Sequence, residues 1–133
     1  MKTVLTGGKF NKIHPGHVWL LKKAKSLGYL IVVLAHEKHN RRSYAVPAAR
    51  RKKALKDLGI ADKVVVGSSK SFVGVVKKHK PDIIVLGYDQ KLPDIETGDY
   101  IREKKIIVIK MKKHGTHSTR KIKGMKKFSP NMP

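Results

Sequence analysis

Apolar positions along the chain fall into two alternating kinds of segment. Short, nearly continuous apolar runs at Lys2 to Thr6, Leu30 to Ala35, Lys63 to Val66, Asp82 to Leu86 and Ile106 to Lys110 predict five strands. Between them lie segments in which apolar residues recur at helical spacing. In Pro15 to Leu27 the repeat is carried by Val18, Leu20, Leu21, Ala24 and Leu27, and Gly28 suits a helix stop. Pro47 opens a second helix that runs to about Leu58 and is closed by Gly59. Phe72 to His79 predicts a third helix, ended before Pro81. Asp99 to Lys104 predicts one or two further turns, and Ser118 to Lys126 a last short helix. His36 to Val46 reads as a polar, basic loop.

Strands that are apolar on consecutive residues are buried on both faces, and their alternation with helices implies a parallel sheet covered on both sides. Ligands of such sheets sit at the carboxyl ends of the strands, near the point where strand order reverses. Those ends are Thr6-Gly7-Gly8, Ala35-His36, Gly67-Ser68, Gly87-Tyr88-Asp89 and Met111 onward. The 133 residues fit one domain over 1–127, with 128–133 expected as a frayed tail.

Composition narrows the function. The chain has no cysteine, which excludes a disulfide scaffold and a thiolate metal site. No apolar run is long enough to span a bilayer, and Met1 to Thr6 runs into glycines without a signal-peptide pattern. A soluble cytoplasmic protein with no membrane partner is therefore expected. The net charge of +22, from 31 Lys and Arg against 9 Asp and Glu, favours polyanionic partners. A solvated basic surface accounts equally well for lysine pairs such as Lys22-Lys23, Lys52-Lys53 and Lys77-Lys78. Aromatic residues make up 6% and are not interleaved with the basic ones, so a stacking platform for single strands is poorly supported. Non-specific nucleic-acid binding stays open, as does a nucleic-acid-binding module without catalysis.

The candidate chemistry lies in Gly7-Gly8-Lys9-Phe10-Asn11-Lys12-Ile13-His14-Pro15-Gly16-His17. Glycines after the first strand allow close approach of a ligand to the backbone, and the helix starting near Pro15 offers its dipole to phosphate. His14 and His17, three apart, can face one small volume and stabilise negative charge in phosphoryl transfer. A helix cap with incidental histidines is the alternative. A metal site is disfavoured because no acidic residue or third histidine is adjacent.

This segment resembles the signature of the HxGH nucleotidyltransferase (cytidylyltransferase-like) superfamily, in its branch of archaeal FAD synthases and glycerol-3-phosphate cytidylyltransferases. Four further matches carry the resemblance along nearly the whole chain: Leu20 to Gly28, Pro47 with Arg50, Lys80 to Gln90, and Ser118-Thr119-Arg120-Lys121-Ile122. The resemblance implies a Rossmann-like α/β three-layer sandwich with a five-stranded parallel sheet, and a homodimer. It implies transfer of a nucleoside monophosphate from a triphosphate to a phosphorylated acceptor, with pyrophosphate released. ATP plus FMN giving FAD comes first; CTP with glycerol 3-phosphate or a sugar phosphate is the alternative.

Position by position, the resemblance makes His14 and His17 the catalytic pair, with Lys9 adding charge beside them. It lays the nucleotide against Thr6, Gly7, Gly8, Phe10 and Gly16, with base and ribose at Gly87, Tyr88 and Asp89. Ser118, Thr119 and Arg120 would hold the β- and γ-phosphates, and Asn11, Arg42 and Arg50 the acceptor. Magnesium would be held mainly by substrate phosphates, with no protein ligand set. Two departures stand out: Asn11 replaces a family Asp, and Lys9 replaces a Thr or small residue, so a carboxylate is missing and a cation added.

Overall fold

The computed structural model describes residues 1–36, 46–67, 72–88, 90, 92, 94–111 and 119–121. In chain order the elements are β1 (Thr3–Gly8), α1 (Pro15–Lys25), β2 (Tyr29–Leu34), α2 (Ala48–Leu58), β3 (Lys63–Val66), α3 (Phe72–His79), β4 (Ile83–Leu86), α4 (Ile95–Glu103), β5 (Ile107–Met111) and β6 (Thr119–Lys121). The sheet order is β3-β2-β1-β4-β5-β6. The first five strands run parallel, so the predicted α/β three-layer sandwich is the observed one.

The continuous apolar runs divide residue by residue between two cores, because successive side chains on a strand point to opposite faces. Val4, Leu30, Val32, Leu34, Ile83 and Val85 join Leu20, Leu21 and Ala24 of α1 and Leu55 of α2. Leu5, Ile31, Val33, Ile84 and Val108 join Val75 and Val76 of α3 and Ile101 of α4. No helix among the described residues is long and apolar enough to cross a membrane.

Three details differ from the sequence expectation. Residues 119–121, expected in a helix, form a sixth strand antiparallel to β5, pairing Met111 with Thr119 and Ile109 with Lys121. β5 would otherwise end the sheet with a row of unpaired backbone groups, and pairing there outweighs a weak local helix preference. Helix α4 starts four residues before Asp99, where the Asp94 carboxylate accepts the Thr97 N–H at 2.8 Å. Gly28 does not sit in a helix-ending left-handed turn near +60°. Its φ is +157°, and a Cβ there would lie 2.1 Å from the Lys2 carbonyl oxygen. The requirement is close approach of α1's exit to β1. Gly59, at φ +71°, is the left-handed helix stop the sequence predicts.

Candidate active site

Strand order reverses between β1 and β4, because the chain moves outward through β2 and β3 before returning beside β1. The crevice at that point lies beyond the carboxyl ends of these two strands. Backbone register between them ends at Thr6 paired with Val85. Thr6 is fully buried, and its hydroxyl donates to the Val85 carbonyl oxygen at 2.8 Å, so its side chain joins the strands beneath the crevice.

Past Gly7 and Gly8 the chain turns through Lys9 and Phe10 toward α1. Phe10 has φ +50°, a left-handed conformation that costs a non-glycine residue about 1 kcal/mol. Burial of its ring offsets this: the side chain is in the core and stands 5.0 Å, centroid to centroid, from His17. A Cβ on Gly8 would come within 2.9 Å of the same ring, which explains a glycine there.

His14 caps α1 with extended backbone, and Pro15, lacking an N–H, follows at the first helical position. The His14 Nδ1 accepts the Gly16 N–H at 3.1 Å, and the His17 Nδ1 accepts the His14 N–H at 3.3 Å. The His17 N–H donates to the His14 carbonyl oxygen at 2.9 Å. The helix therefore caps its own first turn, and the N–H groups of Gly16 and His17 are already engaged. What the motif offers is the far edge of each ring. An Nδ1 that accepts must be unprotonated, which assigns the proton of each neutral ring to Nε2. The rings stack with centroids 3.8 Å apart and planes 23° from parallel. Two imidazole donors are thus held at one place by backbone bonds.

The turn between β1 and α1 is tied to the start of α2. Here the structure singles out Arg51 rather than its neighbour. Arg50 is exposed, whereas Arg51 is buried, with Nε donating to the Val46 carbonyl oxygen at 2.7 Å and Nη1 to the Lys9 carbonyl oxygen at 2.9 Å. Arg51 lies four residues before buried Leu55, on the apolar stripe of α2, and that spacing was the available sequence signal. Asn11 completes the tie, its Oδ1 accepting the Val46 N–H at 2.9 Å. Acceptance requires no negative charge, so the carboxamide does this as well as a carboxylate. The Lys9 side chain is exposed at the lip of the crevice.

On the β4 side, the Gly87 N–H donates to Gln90 Oε1 at 2.6 Å and Gln90 Nε2 donates to the Gly7 carbonyl oxygen at 2.7 Å. Gln90 closes the matched run Lys80 to Gln90, which assigns it no role. Tyr88 is half exposed next to it. Thr119 and Arg120 lie in β6, beside Met111 and Lys110 at the carboxyl end of β5. Asp89, Ser118 and Arg42 lie outside the described residues. Among the described residues no three His, Asp or Glu side chains form a metal-binding group.

Known proteins resemble this chain in both sequence and fold. The family model described as cytidylyltransferase-like matches residues 5–129. An FAD synthase of Ferroglobus placidus is 37% identical over 106 residues, covering 77% of this chain and 67% of that protein. The FAD synthase of Methanosarcina acetivorans is 42% identical over 96 residues, 70% of this chain and 63% of that one. That of Aciduliprofundum boonei is 36% identical over 131 residues, covering 92% and 88%. Among solved structures, the lipopolysaccharide core biosynthesis protein from Thermoplasma volcanium superposes with a TM-score of 0.74 at 31% identity, covering 86% of this chain and 98% of that one. The chain belongs to the cytidylyltransferase-like family of nucleotidyltransferases.

Proposed function

We propose that this nucleotidyltransferase moves the adenylyl group of ATP onto FMN, forming FAD and releasing pyrophosphate. The observation that carries the proposal is the stacked histidine pair, with each Nδ1 fixed by a backbone N–H, beside the crevice where the sheet reverses. The archaeal FAD synthases among its relatives support the choice of ATP and FMN.

In this mechanism an FMN phosphate oxygen attacks the α-phosphorus of ATP as the bond to the bridging β-phosphate oxygen breaks in line. No covalent enzyme intermediate forms. The Nε2–H groups of His14 and His17 donate to the α-phosphoryl and leaving oxygens as charge builds on them, and Lys9 adds positive charge at the lip. The nucleotide enters as its magnesium complex, the metal bound by phosphate oxygens. The backbone of Gly7 to Phe10 and Gly16 lines the phosphate path, with Gly87, Tyr88 and Asp89 beside base and ribose. Ser118, Thr119 and Arg120 hold the outer phosphates. Arg42 and Arg50 meet the FMN phosphate, on a side shaped by Asn11. The enzyme acts in the cytoplasm as a homodimer, an assembly that light scattering on a sizing column tests directly.

Pyrophosphate release is the decisive assay, with ATP and CTP each paired with FMN, glycerol 3-phosphate and a sugar phosphate. Release with ATP and FMN, accompanied by FAD, is expected. Release only with CTP and a small phosphate ester would overturn the choice of substrates. The +22 charge favours one second reading, nucleic-acid binding without turnover. Salt-sensitive oligonucleotide binding together with no release in any pairing would favour it.

A further inference from the structure

We propose that Gln90 is a positioning residue, whose carboxamide sets the geometry of the histidine pair by extending the β1–β4 ladder past its last backbone pair. This rests on the nucleotidyltransferase reading of the site only for its kinetic arm. The backbone register between β1 and β4 stops at Thr6 and Val85, and there the strands part to open the crevice. The next groups of each strand end, the Gly7 carbonyl and the Gly87 N–H, are joined instead by one side chain. Gln90 gives a donor to Gly7 at 2.7 Å and an acceptor to Gly87 at 2.6 Å, while its own N–H donates to the Gly87 carbonyl oxygen at 3.1 Å. A primary carboxamide carries the same donor and acceptor as a peptide group, so it serves as one more rung.

Gly8 lies between that rung and the imidazoles, flanked by the Gln90 carboxamide and the Phe10 ring. The Gln90 Nε2 lies 3.3 Å from where a Cβ on Gly8 would stand, and that position is 2.9 Å from the Phe10 ring. Phe10 packs on His17 and His17 stacks on His14. Phe10 is also in a left-handed conformation, so the segment between Gly8 and Asn11 depends on fixed ends. Arg51 fixes the end at Lys9. Gln90 fixes the end at Gly7. Without the rung, the Gly7 carbonyl turns toward water and the Phe10 ring loses the backbone it leans on. His17 then moves by the fraction of an ångström that matters in phosphoryl transfer.

Two substitutions of matched length separate this role from a general one in folding. Gln90→Met removes both hydrogen-bonding functions. Gln90→Glu keeps an acceptor but supplies a donor only when its carboxyl group is protonated. With saturating ATP and FMN, Gln90→Met is expected to lower kcat by about 10-fold to 100-fold, with KM for ATP changed less than about 3-fold. The kcat of Gln90→Glu relative to the parent is expected to rise as pH falls, whereas the ratio for Gln90→Met stays flat. A flat ratio for Gln90→Glu, or parental kcat in Gln90→Met, overturns the proposal. A second arm needs no turnover: the imidazole resonances of His14 and His17 in the ligand-free protein. Gln90→Met is expected to shift or broaden them while the backbone resonances of α3 and β3 stay in place. Unchanged imidazole resonances overturn the proposal even if the parent protein turns over none of the substrate pairs, an outcome that by itself counts only against the proposed reaction.

Discussion

The two edges of the sheet are held by opposite chemistry. At the edge where the parallel strands begin, carboxylates take leading N–H groups: Asp82 accepts from Thr3 at 2.8 Å, and Asp62 accepts from Leu30 at 2.8 Å and from Lys25 at 2.7 Å. At the edge where the strands end, donors take trailing carbonyls: Arg51 at Lys9 and Gln90 at Gly7. A parallel strand presents N–H groups at its start and carbonyls at its end, so each edge recruits the complementary side chain. The described residues around the histidines are thereby tied together without a carboxylate.

This contrast can be broken at either edge, and the expected effects differ in kind. Arg51→Met should have the largest effect. It leaves the Lys9 and Val46 carbonyls without a charged donor in a buried place, at a cost of about 3 kcal/mol in urea unfolding, and turnover should fall with it. His17→Ala should cut kcat by about 100-fold or more, equivalent to about 2.7 kcal/mol of barrier, with a far smaller change in the unfolding midpoint. Near-parental turnover by a folded His17→Ala protein would remove that residue from the mechanism. At the opposite edge, Gly28→Ala must push back the Lys2 carbonyl. It should cost about 2 kcal/mol of stability while the kcat of the folded fraction is unchanged. The smallest effect is a pH dependence. Asp62 is held below its ordinary carboxylate value of 3.8, first by the Lys25 ammonium and then by the Leu30 N–H. Its contribution is complete above that value and is lost as pH falls below it through the folded-state pKa. Asp62→Asn should therefore lower the thermal midpoint at pH 7, and the gap should close on acidification below about 4.

The same contrast explains what the sequence disclosed. Five strands and three of the four helices could be read because apolar runs, prolines and glycines are local signals, and His14 and His17 because they share one turn. The exception among the helices is α4, read only from Asp99 onward: its start is set by the Asp94 cap, and Gly98 in its middle weakens the periodicity. β6 was invisible because its stability comes from β5. Arg51 and Gln90 were missed because their partners lie 42 and 83 residues away, a separation that leaves no mark on neighbouring residues. Arg50, placed by its position after Pro47, lies on the exposed side of α2, and the buried ties belong to the next residue. The resemblance lays the nucleotide against Phe10; its left-handed backbone and its ring against His17 are tertiary facts.

Among the described residues, the antiparallel addition of β6 also leaves the sheet bounded by two short strands. β3 contributes four residues and β6 three, so a second molecule adding a strand to either margin would gain few hydrogen bonds. That brevity opposes the templated strand addition from which fibrils grow.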